Sequence, residues 1–300
     1  MNKTYSFSIL SSFVGLWISN HLPKSVELIL GFLLIFTFGM IHGSNDIMVV
    51  RELNSNLKIN KILFTYLLVV SIAVLIFYLF PILAVFLFII FSAYHFGEQH
   101  WDNKTLDWYN PLKSLFFFSY GLLILFLIFI FNEEEVKKII FDITGYKILE
   151  LYSFFVIITT LIILTTLSAY YVIKNKINLG EIIKDCFTML VLTIIFKSSS
   201  LIWGFCIYFI IWHSIPSLLD QITFVYGDYK KKSIIKYTSE AFPYWIISLA
   251  GIVGLYLIFS NDKQFYSLFF SFIAAVTFPH AIVMLSMFKK KYSKKKSTAF

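Results

Sequence analysis

The chain alternates long apolar runs with short polar interruptions. The apolar runs fall at about 5–21, 26–44, 62–80, 82–99, 112–131, 149–172, 182–197, 201–222, 243–260 and 265–288. A helix needs about 20 apolar residues to cross a hydrocarbon core of about 30 Å. By their length and their breakers these runs read as membrane helices. Pro23, Pro81, Pro111 and Pro243 punctuate their boundaries, as residues that start or interrupt helices do. The longest polar connections are 45–61, 100–111, 132–148 and 223–242, and the stretch 228–241 reads as a surface amphipathic segment. The apolar run after Lys3 could pass for a cleaved leader, but no small-residue cleavage site follows, so it reads as a first membrane helix. No internal repeat is evident. The expected fold is all-α, a polytopic integral membrane helix bundle with about ten transmembrane helices (eight to ten), residues 1–300 forming one transmembrane domain.

Composition narrows this further. Hydrophobic residues make up 59% of the chain and aromatics 20%, while charged residues are only 14%, against about 25% in ordinary soluble domains. A soluble protein of 300 residues could not bury that much apolar surface in one core. Disorder, a coiled coil and a disulfide scaffold are excluded by the same figures. Cys186 and Cys206 lie inside apolar runs with no metal-binding spacing. The net charge is +8, almost wholly from lysine, Arg51 being the single arginine. This charge sits in short loops and the tail rather than on a basic soluble face, so nucleic acid is not an expected partner. With a cytoplasmic N-terminus, nineteen cationic side chains fall on the cytoplasmic side and six on the other. That is the asymmetry of the positive-inside rule, and it puts both termini in the cytoplasm and the protein in the cell's inner (cytoplasmic) membrane as a multi-pass protein.

The six histidines are the informative residues. In this layout His42, His95, His213 and His280 occupy the second, fourth, eighth and tenth spans, each in the second half of a helix running inward. Four imidazoles on four parallel helices thus share one depth, to within about two turns. Polar side chains at membrane depth are costly and usually functional, and imidazole is the commonest metal ligand, suited to Fe, Cu, Zn and Ni. Asp46, Gln99 and Ser217 each follow a histidine by one turn, where they could hydrogen-bond the far ring nitrogen and orient it. Glu98 lies three residues after His95. Pro216 and Pro279, inside the eighth and tenth spans, free the carbonyls of Trp212 and Ala275. Gly43 and Gly97 permit close backbone approach. His21 and His100 read as interfacial. Two other classes remain open here: a haem- or metal-binding membrane electron carrier, and a transporter using histidine and Asp46 or Glu98 as a relay. The HxxxH and HxxHH clusters of a membrane desaturase are missing from the sequence.

Four blocks carry a family resemblance. Ile41-His42-Gly43-Ser44-Asn45-Asp46 resembles the PHGxxD-type signature of the Brp/Blh family of bacterial and archaeal β-carotene 15,15′-dioxygenases. Ala93-Tyr94-His95-Phe96-Gly97 resembles its YHFG block, Trp212-His213-Ser214 its WHS block, and Pro279-His280 its C-terminal PH. They occur in family order from residue 41 to residue 280. The resemblance implies a transmembrane catalytic domain that splits β-carotene, or a related carotenoid, at the central double bond with O2 into two all-trans-retinal molecules. It implies Fe(II) as cofactor, bound by histidine. It also implies membrane lipid as the medium and a retinal-binding rhodopsin as consumer of the product. Two positions depart from the pattern. Ile41 replaces the proline before His42, and Ser217 stands where many relatives carry a second histidine after the WHS block. The ligands implied are then His42, His95, His213 and His280, with His100 in reserve, and Asp46, Glu98 and Ser217 as supporting residues. Phe91, Tyr94, Phe96, Tyr208, Phe209, Trp212 and Phe278 are the expected lining of a polyene tunnel.

Overall fold

The computed structural model describes residues 3–104, 111–258 and 265–297. Every regular element among these residues is helical: α1 Lys3–His21, α2 Lys24–Leu34, α3 Asp46–Leu53, α4 Ile59–Leu79, α5 Pro81–Trp101, α6 Pro111–Phe131, α7 Glu133–Thr144, α8 Ser153–Ile173, α9 Leu179–Ser198, α10 Leu201–Ile207, α11 Ile215–Tyr226, α12 Lys231–Ile258 and α13 Phe265–Ser297. Two stretches widen into π-helix, Ile35–Gly39 after α2 and Tyr208–Ser214 between α10 and α11. Each expected span overlaps a helix among the described residues, the second leaving it at Ile41 and the end of the ninth (259–260) lying outside the described residues. Six stretches among the described residues are long and apolar enough to cross a membrane: Ile59–Leu79, Pro81–Trp101, Pro111–Phe131, Ser153–Ile173, Leu201–Tyr226 and Ser271–Lys291. Several apolar helices of this kind suggest a multi-pass membrane protein. The loop lysine Lys263, used in the charge count, lies outside the described residues.

Three boundaries differ from the sequence reading. The connections 45–61 and 132–148 contain α3 and α7. In α7 an acidic first turn (Glu133, Glu134, Glu135) stabilises the positive end of the helix dipole, and Val136, Ile139 and Ile140 bury one stripe. The stretch 228–241 does not stand apart from the ninth span. Both belong largely to the single helix α12, with Pro243 inside it instead of at its start. A proline inside a membrane helix is tolerated where its freed backbone carbonyl finds another partner.

The described chain divides into two compact units. The first comprises residues 1–37, 93–137 and 148–216, the second 38–92, 138–147 and 217–300.

In the first unit α6 packs on α8, and α1 on α9. α5 and α6 approach each other closely. A Cβ on Gly97 would lie 1.8 Å from the Phe117 carbonyl oxygen, and one on Gly121 would lie 1.9 Å from that of Ala93. The two glycines are thus reciprocal, each opening the space the other helix's backbone fills. Trp203 Nε1–H donates to the Gly15 carbonyl at 3.0 Å and Trp212 Nε1–H to Ser12 Oγ at 2.9 Å, tying α1 to α10 and the π stretch.

In the second unit α13 is the spine. Ala275 and Phe278 pack on Ala73 and Phe77 of α4 and on Leu87, Phe88 and Phe91. One turn and more further on, Val283, Met284, Met287 and Phe288 close over Val49 of α3. Lys290 Nζ then donates to the carbonyls of Glu52 and Leu53, capping the C-terminus of α3. Ile222 of α11 and Tyr237 and Ala241 of α12 form a further cluster.

Candidate metal centre

Each unit contains two of the four singled-out histidines, buried and ring against ring. In the second unit the His42 and His280 rings lie 4.8 Å apart at 83°, both residues 4% exposed. In the first, the His95 and His213 rings lie 4.7 Å apart at 85°, both 1% exposed.

His42 is not placed as the sequence layout expects. The helical run ends at Ile41, and His42 begins the turn 42–45. The cause is local: Gly43, Ser44 and Asn45 are turn formers, and Ser44 Oγ donates back to the Met40 carbonyl at 2.8 Å. Asp46 therefore does not sit one turn after His42 on one helix face. It opens α3 and accepts on Oδ1 from His280 Nδ1–H at 2.8 Å. Its second oxygen accepts from the Tyr66 hydroxyl of α4 at 3.0 Å. His42 Nδ1–H donates instead to the Gly39 carbonyl, at the end of the π stretch.

These partners assign the tautomers. A carbonyl oxygen only accepts, so His42 carries its proton on Nδ1. The Asp46 carboxylate draws the His280 proton to Nδ1 in the same way. Nε2 is then the ring atom each would offer to a metal. Two buried imidazoles, one of them hydrogen-bonded to a carboxylate, are side chains of the kind that could hold a divalent ion with an orienting contact behind it. Imidazole-bound Fe(II) fits this chemistry.

Further polar groups of the second unit hold the His42 turn. Tyr237 OH lies 2.7 Å from Gln221 Oε1 and 3.2 Å from the His42 carbonyl. Asn45 Nδ2–H donates to the Tyr237 carbonyl at 3.3 Å. Gln221 Nε2–H donates to Ser217 Oγ at 3.2 Å, so Ser217 joins this network. Tyr66, Tyr237 and Gln221 were not singled out from sequence. For Tyr66 and Gln221 the available signal was a polar side chain inside an apolar run, which marks a group needing a partner without naming it.

In the first unit His213 lies in the π stretch, where Ile215 N–H bonds the Ile210 carbonyl five residues back. Such widened turns often occur at functional sites, because they shift a side chain off the α-helical register. Around His213 stand Phe96, with centroids 4.8 Å apart, and Phe209, stacked at 5.5 Å and 21°. Tyr208 packs edge-on against Phe96 at 5.3 Å. His95 is fixed between Ala93 and Gly97, the two α5 positions in backbone contact with α6. Of the other expected lining residues, Phe91 and Phe278 meet edge to face at 5.2 Å in the second unit. Tyr94 packs on Phe117, and Trp212 is turned to Ser12 and Tyr5 of α1. Glu98 is buried, and Tyr94 OH reaches its Oε1 at 3.5 Å.

His100, read from sequence as interfacial, is not exposed. It is largely buried, stacks on Tyr120 at 4.7 Å, and its Nε2 faces Asp185 Oδ1 of α9 at 2.7 Å. Tyr120 OH donates to the same oxygen at 2.8 Å. Lys104 Nζ lies 2.7 Å from His100 Nε2. Burial pushes the Lys104 amine below the usual lysine value, opposed by Asp185 and Glu181. His100 thus belongs to a charged cluster joining the end of α5 to α6 and α9. The signal for it was absent, because Asp185 lies 85 residues away in sequence.

Residues 33–288 match the model of the family described as beta-carotene 15,15'-dioxygenase, a stretch that includes all four of the paired histidines. No curated protein and no solved structure gives a match. A match over most of the chain, enclosing the four histidine blocks, leads to one conclusion: the chain belongs to the beta-carotene 15,15'-dioxygenase family.

Proposed function

We propose that this protein cleaves β-carotene at its central 15,15′ double bond with O2, giving two molecules of all-trans-retinal, in the cell's inner (cytoplasmic) membrane. The double bond breaks and each of its carbons takes one oxygen atom, so one O2 accounts for both aldehydes. His42, His95, His213 and His280 are proposed to hold Fe(II), which supplies the site of O2 activation. The observation that carries this reading is the family match over 33–288, together with two buried imidazole pairs whose members are the motif histidines.

The chain's own residues have defined tasks in this reaction. His42 and His280 offer Nε2 lone pairs because Gly39 and Asp46 hold their Nδ1 protons. The Asp46 carboxylate offsets part of the cation's charge in a low-dielectric surrounding. Cleavage of the carbon skeleton asks for no side-chain acid or base. What the protein adds is positioning and exclusion of water, which the Phe96, Phe209, Phe91 and Phe278 rings suit by their size and apolarity. The substrate is too apolar to leave the bilayer, and an enzyme that is mostly apolar helix meets it there.

The test is expression in β-carotene-producing cells, with chromatography for retinal. The wild-type chain should deplete the carotene and yield retinal, and His42→Ala and His213→Ala should each lower the yield at least 100-fold. Full retinal production by either variant would rule out the ligand assignment, and none by wild type would rule out the activity.

A further inference from the structure

We propose that Tyr66 is a positioning residue for the metal centre. It clamps Asp46 so that His280 presents its Nε2 lone pair, and the inference rests on the reading that His280 is an iron ligand. A phenol in an apolar span such as α4 costs free energy unless its hydroxyl finds a partner. Tyr66 finds it in Asp46 Oδ2 at 3.0 Å, while Oδ1 of the same carboxylate takes the His280 Nδ1 proton at 2.8 Å. Asp46 is 1% exposed and sits at the first turn of α3, so the three groups come from α3, α4 and α13.

The geometry gives Tyr66 a specific task. A carboxylate held through one oxygen can rotate about its Cβ–Cγ bond and lose its aim. With each oxygen bonded to a different helix, rotation breaks two charge-assisted hydrogen bonds at once. Asp46 therefore keeps a fixed direction toward Nδ1, and His280 keeps the Nδ1–H tautomer, with Nε2 as the ring atom it would offer to a metal. Removing the phenol oxygen leaves the Asp46–His280 bond intact but unbraced. The expected effect is on how tightly and how long the metal is held, more than on the folded chain.

The experiment uses the full-length protein in detergent, loaded with ferrous iron without oxygen and then challenged with a chelator. The readouts are the rate of iron release and the melting temperature of the metal-free protein. Outer-contact partners of metal-bound histidines are worth about 10–100-fold in metal affinity. Asp46→Asn should speed release by about that factor, and Tyr66→Phe by several-fold, about 3–10, as the next contact out. Tyr78→Phe, an exposed tyrosine on the same helix, is the control and should release iron at the wild-type rate. The metal-free melting temperature of Tyr66→Phe should stay close to wild type. A Tyr66→Phe protein that loads iron and releases it at the wild-type rate overturns the clamp alone. Faster release in proportion to a lowered metal-free melting temperature also overturns it, in favour of a purely structural role. A wild-type protein that takes up no iron overturns both the clamp and the reading beneath it. Should Tyr66→Phe fail to fold, Asp46→Asn carries the test, and wild-type release from it is again the overturning result.

Discussion

The two histidine pairs have almost the same ring geometry, 4.8 Å and 83° for His42 with His280, 4.7 Å and 85° for His95 with His213. Their surroundings differ. His280 and His42 are aimed by hydrogen bonds to Asp46 and to the Gly39 carbonyl, and Asp46 is braced by Tyr66. His213 is boxed by the Phe96 and Phe209 rings, and His95 rides on a helix whose position is fixed by backbone contact at Gly97 and Gly121. The comparison teaches that the same ring geometry can stand beside a carboxylate and a carbonyl in one pair and inside close ring and backbone packing in the other. A hydrogen-bonded imidazole has its tautomer fixed as well as its direction. Packing holds the His95 and His213 pair by shape, so substitutions of its packed neighbours should act through fit.

The largest effect should come from breaking the shape-held pair at its base. Gly97→Val places carbon atoms where the Phe117 carbonyl oxygen stands, and α5 cannot stay in contact with α6. Overpacking of ordinary side chains costs about 1–3 kcal/mol, and backbone has less room to give. The expected outcome is loss of monodisperse protein on size-exclusion chromatography, with Gly121→Val behaving alike. Normal yield and melting temperature for both would show that the two helices do not depend on that contact.

A smaller effect sharpens the contrast at His213. Phe209→Leu removes a stacked ring worth about 0.5–1.5 kcal/mol, so iron affinity should fall by no more than about tenfold. That is less than the loss expected for Asp46→Asn. Equal or greater loss at Phe209 would show that packing, not the carboxylate, dominates the centre. The smallest effect lies far from both pairs. Asp228 accepts from Ser233 Oγ at 2.7 Å and from the Lys230 N–H at 3.0 Å, and these bonds hold its carboxyl below the usual value. A carboxyl depressed in the folded state adds stability above its unfolded value near 3.9, and that stability is lost as pH falls through the folded value. Asp228→Asn should therefore lower the melting temperature slightly at pH 7. The difference from wild type should shrink only below about pH 4 and vanish once the pH is under the carboxyl's depressed folded-state value.

Much of this was legible in the sequence. The helical positions follow from runs of about 20 apolar residues, and the four histidines stand out because polar groups inside such runs need a reason. What periodicity could not give is partner choice. Asp46 reads as the neighbour of His42 because four residues separate them, but the Gly43-Ser44-Asn45 turn breaks the helix and hands Asp46 to His280, 234 residues away. His100 reads as interfacial because its partners Asp185 and Tyr120 lie on other helices. α7 was hidden because its stripe is short and its first turn is acidic, so in composition it reads as a loop. Local rules place helices and turns, whereas side chains meeting across helices depend on packing, which one-dimensional spacing does not encode.

The central proposal is that the motif histidines are iron ligands. The most direct measurement is iron per chain, by elemental analysis, in purified wild-type protein and in one variant from each pair, His280→Ala and His95→Ala. The account predicts one iron per chain in wild type and a large loss in both variants. A full iron per chain in either variant would contradict it.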